Sequence, residues 1–259
     1  MKKKKTKVKK SIMHLFLSIF TLLIIFSGFI YLKYWPTVTY LYKDATIKVN
    51  NCSEDTFKNK ANSLNNINSS YLQSNQIPTY VKNAFVAIED TNFYKHGGVS
   101  IKAVFRAMYS FFANGGEITQ GGSTITQQLA RNVFLNFDKS YDRKLEEMFI
   151  AIKLEQKFSK DQILEFYIND INFSNGAYGI NPAARKFFNK DCRQLNLSQL
   201  CLLVAIPNNP EYYDPIKHLN NTLQRRNLIL EKMKENNYIT DEQYNNAINY
   251  KIVLNLSKN

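Results

Sequence analysis

Residues 121–132 read GGSTITQQLARN, and the fold turns on how that run is understood. Gly121 and Gly122 open it. Ser123, Thr124 and Thr126 then supply hydroxyls, Gln127 and Gln128 amides, and Arg131 a guanidinium. The apolar members, Ile125, Leu129 and Ala130, are spaced to share one helical face. A core helix would be more apolar all round, and a disordered linker would not gather its apolar residues on one side. The run predicts a helix whose back lies in a core and whose other face meets something hydrophilic.

Helical periods continue on both sides. Val81, Ala84, Phe85 and Ile88 lead into Glu89 and Asp90. Leu145, Met148, Phe149 and Ile152 repeat the pattern, and Leu228, Ile229 and Met233 mark a later helix. Ser159 and Gln162 form a capping-box pair ahead of Ile163, Leu164, Phe166 and Tyr167. Leu195 to Ile206 is nearly all apolar and stops at Pro207. Alternating strands are few, no glycine-rich phosphate loop follows one, and no repeat period is present. The fold class is mainly α.

Charge orders the N-terminus. Residues 1–10 hold seven lysines and no acid, so the net +13 falls to +6 without them. Residues 11–32 contain no Lys, Arg, Asp or Glu and would span about 33 Å as a helix, the thickness of a bilayer core. With Tyr31, Tyr34 and Trp35 at the far interface, residues 11–35 read as an uncleaved signal anchor behind a cytoplasmic basic tail, 1–10. The expected topology is single-pass in a membrane, with the N-terminus cytoplasmic and the domain outside. Residues 36–76, rich in Asn, Ser and Lys, read as a polar stalk or lead-in, and 77–250 as the folded domain. Cys52, Cys192 and Cys201 are too scattered for a disulfide framework. His14, His96 and His218 make no HExxH-type cluster, so no metal site is expected from them. The lysine-rich tail explains topology, which removes the argument for a nucleic-acid partner.

Two acidic positions could carry chemistry. Glu89 ends an apolar helix, where partial desolvation suits a general base. Lys144 and Glu147 are three apart and share a helical face, either as an exposed ion pair or as an anion-binding lysine beside a second carboxylate. Arg131, Lys139, Arg143 and Lys144 could converge on a diphosphate. The aromatic run from Val104 to Phe112 is readable as core or as a membrane-facing surface.

In order and spacing these segments resemble the peptidoglycan glycosyltransferases of family 51, the glycosyltransferase domain of penicillin-binding proteins. Glu89, Asp90, Phe93, His96 and Gly98 match the family's EDxxFxxHxG. Gly121 to Gln128 match GGSTITQQ at every position, and Arg143, Lys144 and Glu147 match RKxxE. Lys160, Ile163, Leu164, Glu165, Tyr167 and Asn169 match KxxILExYLN, with Ile168 in place of Leu. Gly176, Gly179, Ala183, Ala184, Phe187 and Phe188 follow, then the prolines Pro207, Pro210 and Pro215. The resemblance covers about residues 77–233.

The resemblance implies a lysozyme-like glycosyltransferase head with a smaller membrane-associated jaw, which would hold the Phe105–Phe112 segment, preceded by one transmembrane helix. It implies polymerisation of lipid II into β-1,4 glycan, with undecaprenyl-diphosphate-linked glycan as donor and inversion at the anomeric carbon. Glu89 would be the base and Glu147 would act at the leaving-group side, directly or through a cation. Asp90, Phe93, His96, Gly122, Ser123, Thr124, Thr126, Gln127, Gln128, Arg131, Lys139, Arg143, Lys144 and Asn169 would bind substrate. No organic cofactor is implied, and a divalent cation, Mg or Mn, is compatible with the leaving group. Expected partners are the membrane, transpeptidases and other cell-wall synthesis proteins.

Lys139 stands where relatives often have arginine, Arg131 where lysine is frequent, Ser174 for a common glycine and Gln199 for a common glutamate. Neither SxxK nor KTG occurs, which gives the expectation of a polymerase without transpeptidase activity. The rivals are a lysozyme-like lytic enzyme and a non-catalytic wall scaffold.

Overall fold

The computed structural model describes residues 31–65, 71–113, 122–135 and 141–256, together with Thr21, Ser27 and Gly28. The chain divides into two compact units, Met1–Asp44 and Ala45–Asn259. In the first, residues 31–44 are helical and expose Tyr31, Leu32, Tyr34, Trp35 and Tyr40. Tyr31 and Trp35 stack with ring centroids 4.8 Å apart. Most of the expected anchor lies outside the described residues, and no helix among them is long and apolar enough to cross a membrane.

The second unit is helical. Residues 45–50 (α1) are followed by α2 (Glu54–Asn65), α3 (Thr79–Glu89), α4 (Ile101–Ala113), α5 (Ile125–Phe134) and α6 (Tyr141–Lys157). Then come α7 (Lys160–Asp170), α8 (Ile180–Phe188), α9 (Leu197–Ala205), α10 (Leu219–Glu235) and α11 (Asp241–Asn249). Among the described residues the only β pairing is one antiparallel bridge, Asn172 to Tyr178. The mainly α reading holds.

The opening run folds as its spacing demands. Ile125, Leu129 and Ala130 are fully buried, and α5 packs against both α6 and α7. Thr124 caps α5: its Oγ1 accepts from the Gln127 amide at 3.1 Å while Gln127 Oε1 accepts from the Thr124 amide at 3.1 Å. Ser159 and Gln162 cap α7 in the same way. Burial of the apolar faces supplies most of the stability, since short helices are marginal alone.

Within the 36–76 lead-in, the described residues from Ala45 onward pack into the second unit. Phe57 on α2 is buried and stacks on Phe166 of α7, centroids 4.0 Å apart and planes 2° from parallel, with Phe158 and Phe134 edge-on to it. Val49, Cys52, Ala61 and Leu72 are buried too. Lys157, at the end of α6, donates to the carbonyls of Val49, Asn50 and Cys52 at 2.9, 3.0 and 2.6 Å. A cation on those last carbonyls terminates α1. Apolar residues four apart (Phe57, Ala61) inside an Asn- and Lys-rich stretch are what makes this an amphipathic helix rather than a stalk.

Two glycines are set by close approach. Gly98 has φ +92°, and a Cβ there would lie 2.6 Å from the Ala151 carbonyl oxygen of α6. The Gly98 carbonyl also accepts from Thr124 Oγ1 at 2.6 Å, which ties the end of the EDxxFxxHxG segment to the α5 cap. Gly98→Ala is expected to cost about 2–4 kcal/mol from left-handed strain and overpacking. A thermal melt should show a drop on the order of 10 °C. A change within experimental error would mean the backbone yields freely there. Gly179, φ +86°, is held likewise against the Asn169 carbonyl at 2.6 Å. Ser174 and Asn175 have φ of +69° and +50°, which is the physical reason glycine suits position 174.

Candidate active site

Glu89 is the last residue of α3, and its side chain is 15% exposed. Both carboxylate oxygens have donors. Gln128 Nε2 donates to Oε2 at 2.9 Å, and Arg225 Nη2 donates to Oε1 at 3.1 Å. Gln128 is itself fixed, because Tyr167 OH donates to its Oε1 at 3.0 Å. Tyr167 is fully buried. Desolvation first, and the Glu89 charge second, push its phenol well above the ordinary value, so it stays a donor. The expected desolvated carboxylate is therefore an ion-paired one. Sequence reasoning missed both Arg225 and Tyr167 as members of the site.

Glu147 is fully buried on α6. It pairs with Lys144 at i−3 and with Arg143 at i−4, where Nη1 lies 3.3 Å from Oε2. Gln127 Nε2 donates to Glu147 Oε1 at 3.3 Å. Lys144 also donates to Ser123 Oγ at 2.8 Å, drawing the start of the α5 run toward α6. Successive glutamines on one helix thus reach the two carboxylates: Gln127 to Glu147, Gln128 to Glu89. Side chains about 100° apart on a helix can do this only if the carboxylates flank it. Gly122, Ser123 and Arg131 are half-buried along the same segment, and the Arg131 charge acts on Tyr167.

Other predicted ligand residues make structural contacts. Asp90 Oδ2 accepts from the Ile125 amide at 3.2 Å and lies 2.9 Å from His96 Nε2, so the pair anchors the N-terminus of α5. Phe93 is fully buried, with the Lys160 ammonium 4.4 Å from its ring centroid. Lys160 in turn pairs with Glu155 at 2.6 Å, and Thr126 Oγ1 donates to the same oxygen at 2.6 Å. Asn169 is buried, accepting from the Leu72 amide at 2.9 Å and donating to the Leu72 and Glu165 carbonyls at 2.8 Å each. Phe93, Thr124, Thr126 and Asn169 thus make scaffold contacts, with their polar atoms or rings engaged inside the protein. Glu165 adds to that scaffold, accepting from Tyr71 OH at 2.6 Å and the Ser74 amide at 2.7 Å, and so holds the turn that leads into α3. Lys139 and Gly121 lie outside the described residues.

The positive charge beside Glu147 comes from Lys144 and Arg143. Among the described residues no group of three or more His, Cys, Asp and Glu side chains is placed to hold a metal ion. The arrangement can perform two tasks. It presents one carboxylate, fixed and partly open to solvent, and a separate cationic face organised around a buried carboxylate. Base catalysis with stabilisation of an anionic leaving group needs that division.

The family model described as Transglycosylase matches residues 55–234. Penicillin-binding protein 1A of Aquifex aeolicus (strain VF5) is 46% identical over 179 residues, 69% of this chain and 24% of its own length. Penicillin-binding protein 1F of Bacillus subtilis (strain 168) is 46% identical over 169 residues, 65% of this chain and 24% of its own. Penicillin-binding protein 4 of the same organism is 41% identical over 184 residues, 71% of this chain and 29% of its own. The chain therefore spans roughly a quarter of the length of these curated relatives.

Proposed function

The chain belongs to the transglycosylase family, and from that premise we propose that it is a peptidoglycan glycosyltransferase that joins lipid II units into β-1,4 glycan and releases undecaprenyl diphosphate. The observation that carries this reading is the pair of carboxylates reached by Gln127 and Gln128 on one short helix. Glu89 accepts the proton of the acceptor hydroxyl as that oxygen attacks the donor's anomeric carbon. The bond to the diphosphate breaks from the opposite side, and the carbon inverts. Lys144 and Arg143, with Arg131, meet the negative charge that grows on the departing diphosphate. Glu147 pairs with two of those cations and keeps them aimed.

The membrane side of the reading rests on exposed apolar surface. On α4, Ile101, Phe105 and Tyr109 are 70%, 64% and 76% exposed and recur every four residues. Such a stripe beside a lipid-linked substrate suits a jaw resting in the bilayer, next to a lysozyme-like head. The anchor over residues 11–35, with the domain on the outer side, fits the same picture, as do transpeptidases and other wall-synthesis proteins as neighbours.

The deciding experiment supplies labelled lipid II to the detergent-purified chain, with and without Mg²⁺, Mn²⁺ and EDTA. Glycan polymer is the expected product. Cleavage of preformed glycan would instead place the chain among lytic enzymes, and neither activity would favour a scaffold. Loss of polymer on EDTA treatment, restored by either metal, would add a cation to the leaving-group side.

A further inference from the structure

Arg225 and Arg226 are neighbours on α10, identical in sequence and opposed in placement. Arg226 is buried. It donates to Ser198 Oγ at 2.6 Å and to the carbonyls of Ala247, Ile248 and Tyr250 at 3.2, 3.2 and 3.4 Å. It closes the C-terminal end of α11. Arg225 points the other way. Its side chain is 13% exposed, its guanidinium lies 5.3 Å from the Tyr213 ring centroid, and its Nη2 meets Glu89. The two residues it joins are 136 positions apart in the chain.

From this geometry we infer that Arg225 is a positioning residue for Glu89, the proposal resting on Glu89 as the base. Glu89 ends α3, where the helix dipole places partial negative charge beside its carboxylate. A carboxylate left there without a cation would be pushed away from the helix end. Arg225 supplies the opposing charge on one oxygen, and Gln128, braced by Tyr167, fixes the other. A carboxylate has about four lone-pair positions, so two donors leave room for an acceptor hydroxyl. The Tyr213 face keeps the guanidinium near its partner. α10 packs against α3 and α9, so the cation is carried by a rigid element rather than a loop.

The test measures kcat and KM for lipid II with wild type, Arg225→Met and Arg225→Lys, each checked by thermal melting. Arg225→Met should lower kcat about 10- to 100-fold, with KM within about threefold, because a misaimed base slows the chemical step rather than binding. Arg225→Lys should recover much of that loss, since a single contact to one oxygen can be met by an ammonium. A kcat within threefold of wild type for Arg225→Met would overturn the proposal. So would a loss confined to KM, which would make Arg225 a substrate contact, and so would no recovery in a folded Arg225→Lys. If wild type makes no polymer, Glu89 as base fails and this inference fails with it. Polymer from wild type with an indifferent Arg225→Met would sink this inference alone.

Discussion

Glu89→Gln is expected to reduce glycan polymerisation about 10²- to 10⁴-fold, the range that positioned acid–base groups contribute. Glutamine keeps the size and shape of the side chain. Its carbonyl oxygen can still accept from Gln128 Nε2, so the Tyr167–Gln128 link survives. What disappears is the ability to take a proton from the acceptor hydroxyl. Arg225 loses its anionic partner, but it keeps the Tyr213 face and some contact with water. The fold should therefore persist, and the melting temperature should move by only a few degrees. Rates on labelled lipid II beside a melt of the same preparation check both halves. More than a tenth of wild-type activity in a folded Glu89→Gln would remove Glu89 from the role of base.

What the sequence made legible follows from how local each signal is. The helical back of the GGSTITQQ run, the capping pairs at Thr124 and Ser159, and the Lys144–Glu147 face all depend on residues within four positions of one another. Periodicity and capping chemistry read such things directly. The Arg225–Glu89 pair does not, because it joins the end of α3 to the middle of α10, helices brought together only by packing. Nothing local separates Arg225 from Arg226, although one serves the cleft and the other the core.

Composition misled in the lead-in. Asn, Ser and Lys outnumber the apolar residues of α2, yet Phe57 and Ala61 suffice because the Phe57 ring finds Phe166. Phe93, Thr126 and Asn169 sit within segments that carry the site, and their burial shows that they brace it. A sequence motif records that a position is constrained, and the contact record says by what.

Glu147 gives the second large effect, and its variants separate catalysis from stability. Glu147→Gln should lower polymerisation on the order of 100-fold, because Lys144 and Arg143 lose the anion that aims them at the leaving group. The glutamine can still accept from Gln127, and the two cations it releases are not sealed in. Their side chains are 39% and 17% exposed, so both can turn to water. Stability should change little, since a buried carboxylate and its desolvation cost are removed together. Lys144→Met reverses the situation. It leaves the fully buried Glu147 carboxylate with one cation fewer and takes a donor from Ser123. It should cost about 1–3 kcal/mol as well as activity. Melting curves and lipid II turnover on the two variants decide the matter. If Glu147→Gln melts early and Lys144→Met does not, Glu147 is a structural anion and the leaving group is met elsewhere. If Glu147→Gln is stable and inactive, Glu147 serves departure of the diphosphate rather than the fold.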